Sequence, residues 1–348
     1  MIVTTLCPGT EAVVPRAVDW YGGAKRAHDE EGPTVNDYLR SLTARKQSWF
    51  GLKLPVKAAL AQPLLHLLMR AVAPHIAGIR IGRLPAPIGL TEVTGRAGGA
   101  SFVLVDPFRC EIAKEFYWGK GRRTEPEDAF ALDLMVDLSR DAEVFVDIGA
   151  YTGVFTMAVL AANPTAVAHS FEIIPAVVAG LEKNIARNHL GERVTVHPTG
   201  VGAPGTTMRV PTGDGGSALP SFYAASMDFA EGVEVRFTSL DELLAELPAG
   251  TSRVTVKIDV EGAENDVLGH GAEFLAALRP DILCEVLDDR AQPGELMRLL
   301  EPHGYSYFLV GSEELTHSER IVPDPHFRDW LFTVQTPEEL SANGYPVA

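Results

Sequence analysis

The sequence predicts an α/β fold built on a doubly wound, mostly parallel sheet, and three observations carry that prediction. From residue 144 onward, short runs of β-branched and aromatic residues alternate with stretches of helical periodicity. The first run ends in a glycine-bearing turn, Asp147-Ile148-Gly149-Ala150-Tyr151-Thr152-Gly153. The second ends in an acid, Glu172, about 20 residues on, the spacing at which an open α/β sheet sets a ligand-binding carboxylate beside its first turn. Such alternation calls for crossover helices between parallel strands, which become buried on both faces.

In chain order, residues 1–120 read as an accessory region of helix and short strands, suited to a lid or an oligomer contact, and they name no chemistry. Its most apolar stretch, 58–69, is about half as long as the roughly 20 residues a membrane span needs and contains Pro63 and His66. A soluble or membrane-touching helix is expected there, and no span. A strand over 101–105 stops at Asp106-Pro107. Between 125 and 138, Ala129, Phe130, Leu132, Leu134, Met135 and Leu138 recur at helical spacing, with Glu125 and Glu127 at the electropositive end.

The main domain is expected over 121–337, leaving 338–348 as a C-terminal tail. Its strands fall at 144–147, 167–172, 194–197, 233–237, 254–259, 282–285, 305–310 and 331–334, with helices at 153–162 and 176–188. The capping box Ser239-x-x-Glu242 opens a further helix. Clustered Gly, Ser and Pro over 203–232 predict an adaptable loop or hairpin.

Composition narrows the partners. The net charge of −16, with no block of Lys or Arg, excludes a nucleic-acid footprint and favours a small neutral or cationic substrate. Cys7, Cys110 and Cys284 lie too far apart for a zinc motif or a compact disulfide framework. With no basic region before the short apolar run at the N-terminus, a cytoplasmic location is expected.

At the first turn, Gly149 would let the backbone bend towards a ligand and Gly153 would start a closely packed helix, whose N-terminal N–H groups favour an anionic group. Glu172 could accept both ribose hydroxyls of an adenosine-containing cofactor, with Ile173 beside it. A dinucleotide would need glycine where this chain has Tyr151, because the pyrophosphate requires close backbone approach. S-adenosylmethionine has no phosphate; its amino group can pair with a carboxylate such as Asp147 and its own carboxylate with helix N-terminal donors. In the plainer reading, Asp147 caps a helix and Glu172 is a solvated strand end.

These residues resemble the FkbM-type methyltransferase family: Val146-Asp147-Ile148-Gly149-Ala150-Tyr151-Thr152-Gly153, then Phe171-Glu172, Lys257-Ile258-Asp259-Val260-Glu261-Gly262-Ala263-Glu264, and Leu283-Cys284-Glu285. The resemblance covers about residues 120 to 335. It implies a class I methyltransferase (Rossmann-like) fold with a seven-stranded sheet, S-adenosyl-L-methionine as cofactor, and O-methylation of a small molecule such as a sugar. The family usually carries Asn at the position of Tyr151 and Pro at that of Ile173.

Methyl transfer needs positioning, exclusion of water and, for a hydroxyl acceptor, removal of a proton. Asp259 ends a core strand at the crevice, Glu261 follows on the loop, and Glu285 ends the next strand, so the three are the candidate catalytic acids. A divalent metal held by all three is the less favoured alternative, and no metal ligand is assigned. Lys257 could simply neutralise a buried acid, and Glu264 could serve a helix N-terminus. His197 is a reserve base, with His169 on the neighbouring strand. Gly215-Gly216-Ser217, Phe222 and Tyr223 could cover the site from their loop. The competing functions are an N-methyltransferase acting on a small amine, an NAD-dependent oxidoreductase, and a non-catalytic cofactor-binding scaffold; a homo-oligomer is compatible with all of them.

Overall fold

The computed structural model describes residues 61–73, 81–210, 232–288 and 290–348. Helix α1 (Pro63–Val72) and a short 3-10 turn (Ile81–Arg83) precede the hairpin of β1 (Glu92–Ala97) and β2 (Ala100–Val105), then α2 (Glu111–Trp118) and α3 (Pro126–Leu138). The alternating part runs β3 (Val144–Ile148), α4 (Val154–Ala162), β4 (Val167–Phe171), α5 (Pro175–Arg187) and β5 (Val194–His197). Next come β6 (Gly200–Val201), β7 (Thr207–Val210), β8 (Val233–Thr238), α6 (Leu240–Glu246), β9 (Val254–Ile258), α7 (Glu264–Gly269) and α8 (Ala272–Leu278). The chain closes with β10 (Asp281–Glu285), α9 (Pro293–Leu300), β11 (Ser306–Val310), β12 (Leu315–Ser318), β13 (Asp329–Thr333) and α10 (Pro337–Ala342).

The main sheet has the order β12-β11-β13-β10-β9-β3-β4-β5. Strand β3 pairs in parallel with both β4 and β9, whereas β13 is antiparallel to both β10 and β11. The connection order therefore reverses at β3, which places a crevice at its carboxyl end. This is the doubly wound, mostly parallel arrangement expected from the sequence, with eight strands where seven were expected and β12 at one edge. Strands β3 and β9 are buried along their whole length, the polar Asp147, Thr255 and Lys257 included, as strands between two helical layers are.

One expected core strand lies elsewhere. Strand β8 joins β6 and β7 in a separate three-stranded sheet. Its sequence Val-Glu-Val-Arg-Phe-Thr alternates, and Glu234 and Arg236 stay exposed while Val235 is buried, so it can cover only one face. The capping box is also half formed: Ser239 Oγ accepts from Glu242 N at 3.0 Å, but the Glu242 carboxylate accepts from Thr238 Oγ1 instead of reaching back to the Ser239 amide.

The hairpin and α2 share a core with one face of the sheet, where Phe102, Leu104 and Phe116 pack with Met135, Phe145 and Met157. The open edge of β2 is occupied by amides from α5. Asn184 Oδ1 accepts from Val105 N at 2.8 Å, while Asn188 accepts from Val103 N and donates to Val103 O. Residues 81–118 are thus tied to the sheet by core packing and by backbone hydrogen bonds. At the other end Leu315 N donates to Pro346 O, and Tyr345 and Val347 pack on the same core, which fastens the segment expected as a tail. Cys110 and Cys284 are buried and free, and Cys7 lies outside the described residues. No helix among the described residues is long and apolar enough to cross a membrane.

Candidate active site

The carboxyl end of β3 builds the first wall. Asp147 is 1% exposed, and its Oδ2 accepts from Thr156 Oγ1 at 2.6 Å and Thr156 N at 3.2 Å, so it caps the first turn of α4 while lining the crevice. Burial pushes its pKa up to about 6, against the pull of Thr156 and Lys257. Gly149 has φ +77, and a Cβ there would collide with the carbonyl oxygen of Asp259. The close approach that demands glycine is thus to the neighbouring loop of the protein itself. Gly153, at φ +81, sits against Leu181 of α5, whose side chain a Cβ here would force to shift. Between them Tyr151 holds φ +53, a left-handed conformation rare outside glycine, with its ring packed between two apolar clusters.

Glu172 projects from the end of β4 and is only 8% exposed. Its two oxygens accept from the backbone amides of Ile174 at 2.8 Å and Tyr151 at 3.0 Å. Burial nonetheless pushes its pKa up to about 7. The carboxylate is therefore aimed and fixed by the turn, not a solvated strand end. Ile173 lines the same end of the crevice. So does Thr199, whose buried hydroxyl has no hydrogen-bond partner.

The opposite end is ionic. Asp259, Glu261 and Glu285 converge, with one ligating oxygen of each within 4.8 Å of the others. Glu261 occupies the loop before α7, at φ +56, and accepts from Arg290 Nη1 at 3.0 Å. Glu285 is 7% exposed and faces Arg328 Nη1 at 3.1 Å. Burial, and then the charge of Asp259, push its pKa well up. Lys257, 2% exposed, donates to Asp329 Oδ1 at 3.2 Å and lies 3.7 Å from Asp259 Oδ2; these acids hold its pKa above the usual value despite burial. It is itself the buried partner, and both of these acids are part-exposed. Glu264 opens α7, fully buried, with Oε1 accepting from Gly262 N.

A cavity of about 620 Å³ joins the two ends, so Asp147, Gly149, Tyr151, Glu172, Ile173, Asp259, Glu261 and Glu285 all line one space. Gly153 stands behind its wall, and His169 and His197 lie outside it. Those two rings bond to each other at 3.0 Å, and burial lowers both pKa values, that of His197 to about 4. Gly215, Gly216, Ser217, Phe222 and Tyr223 fall outside the described residues. Sequence reasoning missed Arg123, Thr199, Arg290, Arg328 and Asp329, all on the cavity wall. Apart from the consecutive Arg328 and Asp329 they sit singly in loops, and only Asp329, directly across from Glu285 on an antiparallel strand, had a placement that pairing could have found.

With this geometry in view, residues 147–307 match the family model described as the methyltransferase FkbM domain. This stretch belongs to the FkbM methyltransferase family. A methyltransferase FkbM from Methylobacillus flagellatus KT is similar in structure, with 17% identity over 55% of this chain and 44% of that one, TM-score 0.36. The chain thus spans less than half the length of that protein. An O-methyltransferase from Bacillus cereus, solved with SAH, shows 15% identity over 62% of this chain and 83% of that one, TM-score 0.36. M. jannaschii TYW2, solved with AdoMet, shows 15% identity over 70% and 84%, TM-score 0.36. Comparison with curated proteins gave no match.

Proposed function

We propose that this FkbM-type protein transfers the methyl group of S-adenosylmethionine to a hydroxyl of a small molecule in the cytoplasm. The observation that carries the reading is the single cavity with Glu172 at one end and Asp259, Glu261 and Glu285 at the other. The donor set fits an adenosine-containing cofactor: a fixed carboxylate for ribose hydroxyls, an unpartnered buried Thr199 hydroxyl, and the turn before α4. Tyr151 keeps a bulky side chain where a pyrophosphate would need bare backbone, which disfavours a nicotinamide dinucleotide.

The bound cofactor supplies a methyl group on a sulfonium, already a good leaving group, so the protein contributes position and proton handling. Asp259, 40% exposed at the cavity and beside the Lys257 ammonium, accepts the acceptor's proton. Glu285, buried and held by Arg328 at 3.1 Å, orients the acceptor through a hydrogen bond. Two acids in different environments thus take different roles. Glu261, held by Arg290, shapes the rim. Helix α2 contributes Glu111, Ile112 and Glu115 to the wall, so this part of the accessory region expected over 1–120 helps to select the acceptor.

Calorimetric titration with S-adenosylmethionine, S-adenosylhomocysteine and NAD tests the reading. Saturable binding of the first two, weakened in Glu172→Ala, is expected. Binding of NAD alone would replace it with the oxidoreductase reading, and cofactor binding without turnover on any acceptor would favour a scaffold.

A further inference from the structure

The small sheet of β6, β8 and β7 contributes Thr207, Met208 and Phe237 to the wall of the main cavity, and Tyr151, Glu172 and Ile173 line the same space. Alternation along β7 and β8 turns Met208, Val210 and Val235 to one face, while Arg209, Glu234 and Arg236 stay exposed. That apolar face packs on Tyr151, on Ile173 and Ile174 next to Glu172, and on Val177 of α5. Among the described residues β7 and β8 enter no other apolar cluster, so this contact is their seat on the rest of the domain. Tyr151 is the unusual member of the seat. It holds the left-handed φ of +53, a conformation that Asn takes far more readily than Tyr. Its amide donates to Glu172 Oε2 at 3.0 Å, but any residue except proline could do that. What the tyrosine adds is its ring, which packs both on the core at one face of the main sheet and on the seat of the small sheet.

We propose that Tyr151 and Ile173 are positioning residues for the cofactor: they seat the small sheet beside Glu172, so that the adenosyl group is held between that sheet and the Glu172 turn and its release is slowed. The proposal rests on the methyltransferase reading and assigns the residues that set how long the cofactor stays. Val210 and Val235 belong to the seat without lining the cavity, so they act on the cofactor only through the placement of the sheet.

The test is stopped-flow measurement of S-adenosylhomocysteine association and dissociation with the full chain. It compares the parent with Tyr151→Asn, Ile173→Ala, Val235→Ala and the double variant Tyr151→Asn, Val235→Ala. Asn keeps the left-handed turn while removing the ring. Dissociation is expected to accelerate by about fivefold or more in each single variant, with association changed by less than about twofold. The double variant should release the ligand little faster than the faster single variant, because both substitutions loosen one seat. Circular dichroism shows which variants are folded, and Val210→Ala replaces Val235→Ala if the latter is not. In the parent, which needs no substitution, bound S-adenosylhomocysteine should slow hydrogen exchange of the β7 amides. Unchanged dissociation, acceleration in Tyr151→Asn without acceleration in the valine variant, single effects that multiply in the double variant, or β7 exchange indifferent to the ligand would overturn the proposal while leaving the methyltransferase reading in place. Failure of the parent protein to bind S-adenosylhomocysteine would overturn both.

Discussion

Raising the pH from 6 to 8 is expected to tighten cofactor binding about tenfold, through one buried carboxyl. Glu172 is 8% exposed, and burial lifts its pKa to about 7 even though the amides of Ile174 and Tyr151 favour the ionised form. With that value about one tenth of the molecules carry the carboxylate at pH 6 and about nine tenths at pH 8. If ribose hydroxyls require the ionised form, the apparent affinity scales with that fraction. The ligand-free protein should respond in the opposite sense. A folded pKa raised above the unfolded 4.5 means that the folded state keeps its proton longer, so stability falls as pH rises from about 4.5 to about 7 and is flat above. At about 1.4 kcal/mol per pH unit the loss is about 3 kcal/mol. Asp147, raised from 3.8 to about 6, adds a loss of the same sign and about the same size over its lower window. S-adenosylhomocysteine titrations at pH 6, 7 and 8, paired with urea unfolding of the ligand-free protein, measure both slopes. Glu172→Gln, which cannot ionise, removes the ligand's own titration from the comparison. An affinity that does not change between pH 6 and 8, or a slope equally steep in Glu172→Gln, would refute the reasoning.

Gly149→Ala should destabilise by about 4 kcal/mol or more, or prevent soluble expression, because its Cβ meets the Asp259 carbonyl and its φ is left-handed; thermal unfolding checks this. Asp259→Asn should lower kcat by about 10²–10⁴ with S-adenosylhomocysteine affinity unchanged, and Glu285→Gln, which keeps the size and a hydrogen-bonding group, should lower it far less; equal losses would contradict the division of roles. Chelation by EDTA should leave turnover unchanged, since Arg290 and Arg328 already balance two of the three clustered acids. Activity lost to EDTA and restored by Mg²⁺ or Mn²⁺ would instead assign the cluster to a metal.

The sequence by itself determined the parallel core and the glycine turn that follows β3. Strands β3 and β9 are rich in Val, Ile and Phe, a pattern that suits burial between two helical layers, and Gly149, Gly153 and Glu172 keep spacings set by one strand, one turn and one crossover. These are local rules, so they are legible along the chain. The tertiary structure decided what depends on residues distant in sequence. It moved β8 out of the main sheet, fused residues 81–118 to the core through Asn184 and Asn188, and set Lys257 between Asp259 and Asp329. It also brought Arg123, Arg290 and Arg328 to the acids. Charge pairing and burial are pairwise in space, and a single sequence records spacing but not which of its scattered arginines will face which acid.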